Sequence, residues 1–123
     1  MNIAIIVREE TMLSCTGGGC LKAFVKKIDS FARYKDIDDV ELVAFTHNGG
    51  DIEKKIAALK KKRVEVVHLS SCIRSKDANY DLLAQRLAED FAVVGYTHGD
   101  ELGKTRRAIM LAKGSKLPVT DRE

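Results

Sequence analysis

A single doubly wound α/β domain, built on a mostly parallel sheet of about four strands in a flavodoxin-like arrangement, is the fold class this sequence predicts. Three observations predict it. Ile3 to Val7 is a continuous β-branched run, the pattern of a strand buried on both faces. Apolar runs of that kind then alternate with stretches of helical spacing. The connections between them are short, with neither linker nor internal repeat, so parallel strands joined by right-handed crossovers follow, with helices on both faces.

The elements read in order as follows. After a glycine loop, Leu21, Phe24, Val25, Ile28, Phe31 and Ala32 recur at helical spacing, with Lys22, Lys26, Lys27 and Asp29 on the outer side. Val40 to Phe45 reads as a second strand, ended by Gly49 and Gly50. Ile52, Ile56 and Leu59 start a second helical stripe, and Lys60 to Arg63 close it with the charge that a helix C-terminus favours. Val64 to Leu69 is a third strand. Asp77 to Ala88 is a third helix with Leu82, Leu83 and Leu87 inward, and Phe91 to Tyr96 is a fourth strand. Leu102, Arg106, Ile109 and Met110 suggest one more amphipathic helix before the end near Pro118. Residues 1–99 therefore form the α/β core, and 100–123 a helical extension and tail of the same domain.

At 123 residues, 45% hydrophobic and 32% charged, the chain suits one soluble globular domain. Twenty-one basic residues face eighteen acidic ones with the signs interspersed, which argues against a broad cationic face for nucleic acid. The opening apolar run is too short for a signal peptide. No run approaches the roughly 20 apolar residues that cross a bilayer. Three cysteines, an odd number, argue against a secreted disulfide framework, so a cytoplasmic protein with free thiols is expected.

In a parallel sheet every strand's carboxyl end opens onto one edge. The loops expected there carry all three cysteines, Cys15, Cys20 and Cys72, together with His47, Asp51 and His98. Zinc or a related ion needs about four such ligands in tetrahedral array, with ionised thiols. Four residues separate Cys15 from Cys20, an admissible chelate spacing. His68 falls within the third strand and reads as a packed histidine instead. Three other readings compete. Thr16, Gly17, Gly18 and Gly19, leading into a helix N-terminus with Arg8 and Lys22 nearby, form an anion cradle for a small anionic ligand. The cysteine-plus-arginine loop of the small tyrosine phosphatases fails here, because Leu21 stands where arginine is required, and no Walker sequence follows the glycines. A cysteine at a helix N-terminus is also activated for thiol chemistry, which favours Cys20. Finally, each cysteine can simply pack as a small hydrophobe.

Several segments together resemble the CGGC-domain family: Cys15-Thr16-Gly17-Gly18-Gly19-Cys20-Leu21-Lys22-Ala23-Phe24, Phe31-Ala32-Arg33-Tyr34, Val40 to Thr46, Val67 to Cys72, and Tyr96-Thr97-His98. The resemblance implies a metal-binding region made of clustered cysteines. This chain departs from the family where Asn48-Gly49-Gly50-Asp51 replaces the Cys-Gly-Gly-Cys motif, and again at Asp77-Ala78-Asn79, where a further cysteine is expected. The remaining ligand set is Cys15, Cys20 and Cys72, with His47 preferred as the fourth and Asp51 or His98 in reserve. A member that has lost its metal is the alternative.

Overall fold

A computed structural model describes residues 1–117. The first strand, β1 (Asn2–Val7), runs through the middle of the molecule with Ile3 to Val7 almost wholly buried. Its side chains alternate between two cores, as a strand's period of two dictates. Ile3, Ile5 and Val7 pack with Cys20, Ala23, Phe31 and Tyr34 on one face, while Ala4 and Ile6 join Ile56, Leu59, Ile73, Tyr80 and Leu87 on the other. Both cores therefore depend on the one β-branched run from which the sequence reading began.

Strand β1 pairs in parallel with β2 (Glu41–His47) and β3 (Val64–Leu69), and β3 pairs in parallel with β4 (Ala92–Val94). A fifth strand, β5 (Met110–Leu111), adds to β4 in the antiparallel sense, giving the order β2-β1-β3-β4-β5. The order is that of the flavodoxin-like fold. Helix α1 (Gly18–Lys26) and a 3-10 segment, Asp29–Tyr34, cover one face; α2 (Ile52–Lys61), α3 (Ser71–Lys76) and α4 (Tyr80–Ala88) cover the other. No described helix is long and apolar enough to cross a membrane.

Four expectations need correction. The first helix stops at Lys26, because Lys27 turns left-handed (φ 52°) and the Ile28 N–H returns to the Ala23 carbonyl, the usual helix-ending geometry. Its apolar phase was also misjudged: Cys20 and Ala23 point inward, whereas Leu21, Val25 and Ile28 are exposed. Leu82, expected inside, is exposed as well; Tyr80, Ala84, Leu87 and Ala88 form the buried face of α4. The expected C-terminal helix over Leu102–Met110 is absent. Gly99 and Gly103 adopt positive φ, and the buried Arg74 guanidinium donates to the carbonyls of Asp100 (2.7 Å) and Glu101 (3.1 Å), fixing an irregular course. Ile109 then bonds to β4's exit and to α4 instead of to a helical turn, its carbonyl accepting from Gly95 N–H at 2.7 Å and its N–H donating to Tyr80 Oη at 2.9 Å. Residues 100–111 are thus a strap ending in an edge strand; the end expected near Pro118 lies outside the described residues.

Candidate functional site

The exits of β1, β3 and β4 are laced together around one hydroxyl. Cys20, in the first turns of α1, is buried with its sulfur 3.2 Å from Thr97 Oγ1. The same oxygen accepts the Ser71 N–H at 3.4 Å. Ser71 Oγ in turn donates to the His98 carbonyl and accepts the N–H groups of Thr97 (3.3 Å) and His98 (3.2 Å). Cys72 follows directly, half-buried, with its sulfur 2.7 Å from Ser70 Oγ. Ser70 itself caps α3, accepting the Ile73 N–H. Sequence reasoning found the cysteines but not the Ser70, Ser71 and Thr97 hydroxyls that hold their loops in place. Their signal was available: Ser-Ser before an apolar helix face is capping chemistry.

Cys15 completes the group from the loop before α1. It is exposed, and its sulfur accepts the Gly17 N–H at 3.3 Å. Gly17 starts α1 from a left-handed conformation (φ 79°), and a Cβ there would lie 2.8 Å from the Phe45 ring, so this glycine is required on both counts. Burial pushes the Cys20 thiol up from its ordinary pKa; the Thr97 hydrogen bond opposes this, and the Cys72 and Cys15 thiols raise it further. The Cys20 sulfur therefore feels both of the other cysteines, and their charge would oppose its ionisation. Even so, among the described residues no three His, Cys, Asp or Glu side chains are arranged to hold a metal ion.

The other expected ligands are placed unequally. His98 is exposed beside the first turn of α1, its ring 3.3 Å from where a Cβ on Gly19 would sit, next to Cys20. His47 ends β2; its Nδ1 accepts the Gly49 N–H at 3.0 Å and lies 3.6 Å from Glu9 and 3.4 Å from Lys55 Nζ. Asp51 caps α2, accepting the Lys54 N–H at 3.0 Å. Its replacement by alanine is expected to lower stability by about 1 kcal/mol, measured by urea denaturation.

The anion cradle is less open than its glycines suggest. The Gly17 and Gly18 N–H groups are taken by the side chains of Cys15 and Thr16, the latter at 3.2 Å. Arg8 turns away to Thr11 (3.2 Å) and Glu10 (2.9 Å), lining a separate cleft of about 340 Å³ with Asn48, Lys76 and Asp77. Lys22 is exposed on α1. At the two places where the resemblance leads one to expect thiols, Asn48 Nδ2 instead donates to Asp77 Oδ2 at 2.8 Å. A side-chain hydrogen bond from an amide to a carboxyl group thus joins the exit of β2 to the end of α3.

His68 lies enclosed beneath these loops. It is fully buried and stacked on Phe31 with ring centroids 4.1 Å apart. Ser30 Oγ spends its proton on the Thr97 carbonyl (2.9 Å), so His68 Nδ1–H donates toward Ser30 Oγ (3.1 Å) and the Tyr96 carbonyl (3.3 Å). Nε2 is then the acceptor, and Tyr34 Oη donates to it at 2.8 Å. Burial drives the His68 pKa down to about 3, with Tyr96's carbonyl resisting and Arg33 assisting. This neutral imidazole braces the Thr97 loop from beneath.

Comparison with known proteins places the chain in a family. Residues 2–98 match the CGGC domain. An uncharacterized protein of Methanocaldococcus jannaschii is 31% identical over 107 residues, covering 76% of this chain and 81% of that protein. No solved structure matches the chain.

Proposed function

Because the chain belongs to the CGGC-domain family, we propose that it binds a transition-metal ion, zinc in the first instance, through Cys15, Cys20 and Cys72 at the strand-end edge. The observation that supports this reading is the lacing around Thr97, whose Oγ1 lies 3.2 Å from the Cys20 sulfur and accepts the N–H of Ser71, the residue before Cys72. The donor chemistry fits. Three sulfurs form a soft ligand set, and Thr97 and Ser70 hydroxyls stand ready to donate to the thiolates. The spacing is open, and Cys15, exposed on its loop, is the ligand that would move inward. Of the imidazoles, His98 is the better placed fourth ligand, since His47 and Asp51 already serve β2 and α2.

The bound ion would supply positive charge beside Cys20, whose ionisation burial and the other two cysteines oppose. The protein's own part is to hold Cys20 against Thr97 and Cys72 against Ser70, and to release their protons. Affinity should therefore fall as pH falls, with protons released on binding. Titration of reduced, chelator-stripped protein with cobalt(II) is expected to give thiolate-to-metal charge-transfer absorption that saturates at one equivalent. Cys20→Ser should weaken binding about a hundredfold or more. Absence of the absorption, or an unchanged affinity in Cys20→Ser, sinks the reading.

A further inference from the structure

Side chains on β3, β4 and β5 alternate between two faces of the sheet. Val93 and Leu111 pack into the core beneath α4, so Val66, Ala92, Val94 and Met110 turn to the opposite face. The cover on that side reaches β3 through Phe31 and Tyr34, which hold His68. Among the described residues no helix lies over β4 and β5 there. A hollow of about 310 Å³ is left, floored by these four side chains and bordered toward β1 by Met1, Arg33 and Tyr34. From β3 to β5 it crosses three neighbouring strands, a span of about 10 Å. Its size is close to the smallest at which small-molecule ligands are held, roughly 300 Å³. A protein surface would need far more room, about 800 Å² on each partner.

One charged side chain, Arg33, lines this hollow, and no acid does. Arg33 Nε donates to the Ser30 carbonyl at 2.6 Å, which orients the guanidinium at the rim. Its terminal nitrogens make no hydrogen bond or ion pair among the described residues. The charges nearby do not cancel it from within. Asp39 lies beside Met1 but is held by the chain's amino group at 3.5 Å, and the exposed Lys35, Asp36, Asp38 and Lys113 lie outside the lining. Tyr34 Oη already gives its proton to His68. An apolar floor with one unmatched cation at its edge selects an apolar body that ends in a single negative charge. A carboxylate suits best, because its two oxygens match the parallel N–H groups of a guanidinium.

We propose that this hollow binds a small apolar carboxylate, an unbranched acyl chain lying across β3, β4 and β5 with its carboxylate on Arg33. The site lies toward the amino ends of the strands, away from the cysteine edge, and stands apart from the metal reading. Its test uses octanoate on reduced, chelator-treated protein with isotope-labelled methionine methyl groups, followed by NMR. Of the three methionines, Met1 and Met110 line the hollow, whereas Met12 lies by Gly17 at the glycine loop. Saturable shifts of the Met1 and Met110 resonances at one ligand per chain are expected, with Met12 unmoved. Octanol, equal in length and uncharged, should bind at least about tenfold more weakly than octanoate. Arg33→Gln, a change at an exposed position, should weaken octanoate by a similar factor and leave octanol as it was. Ala112→Phe, also at an exposed position, should fill the end of the hollow and remove binding of both, with thermal unfolding unchanged. No shift at all, shifts that fail to saturate or move Met12 equally, octanol bound as tightly as octanoate, or wild-type octanoate affinity in Arg33→Gln overturns the proposal.

Discussion

Stability to urea is expected to fall by about 1.4 kcal/mol for each pH unit below the ordinary histidine range, continuing toward pH 3, because of His68 alone. The sign follows from where the proton goes. Unfolded, His68 takes up a proton near its ordinary pKa of 6.5; folded, it resists until about 3. Between those values the unfolded chain binds more protons than the native one, so acid favours unfolding. The stability that burial of the neutral ring provides is complete above the unfolded value and is lost as pH drops toward the folded one. Comparing wild type with His68→Gln at several pH values isolates the effect, since the variant's slope lacks that contribution whatever its absolute stability. Equal slopes in the two proteins would show that His68 is not the enclosed neutral base described above. Tyr34 belongs to the same network: burial pushes its hydroxyl pKa up to about 12, so it remains a donor to His68 throughout this range.

Gly95→Ala is the second large effect, expected to destabilise by about 3 kcal/mol in thermal or urea unfolding. A methyl group there would collide with Tyr80 Oη and lie 2.5 Å from the Ile109 carbonyl and 2.7 Å from its nitrogen. Three segments meet at this point. Tyr80 Oη donates to the Gly95 carbonyl at 2.6 Å and accepts the Ile109 N–H at 2.9 Å, so one buried hydroxyl joins α4, the exit of β4 and the entry to β5. Neither side of the collision can yield cheaply, one being backbone and the other a fully buried ring. Tyr80→Phe removes the hydrogen bonds and would relieve only part of the clash, so Gly95→Ala should remain destabilising in that background. A neutral Gly95→Ala would mean that the strap over residues 100–111 does not lie against β4 as described.

The strands were legible because their signal is local and redundant. Ile3 to Val7 is an unbroken apolar run, and Val64 to Leu69 is valine-rich with only Glu65 and His68 interrupting it, both at strand length. Helix α2 was equally plain, with the stripe of Ile52, Ile56 and Leu59 after Gly49 and Gly50 and the basic run from Lys60 to close it. The phase of α1 was not. Leu21, Phe24, Val25 and Ile28 fit an inward stripe as well as Cys20, Ala23 and Phe24 do, and only the position of Phe31 and Tyr34 beneath the sheet selects the second set. The strap beyond Gly99 was misread for a related reason. Its spacing suits a helix, but Arg74 reaches its carbonyls from a helix nearly thirty residues earlier, and a sequence window does not contain that contact.

By itself the sequence determined a parallel α/β core, the family of the chain, and the placing of its three cysteines at strand exits, since each of these follows from short-range pattern and topology rules. Tertiary structure decided everything that depends on side chains distant in the chain meeting at hydrogen-bond range. It put Thr97 between Cys20 and Ser71, joined Asn48 to Asp77, and sealed His68 beneath the site. The physical reason is the same in each case: hydrogen bonds and burial are set by ångström distances, which the order of residues constrains only after the chain has packed.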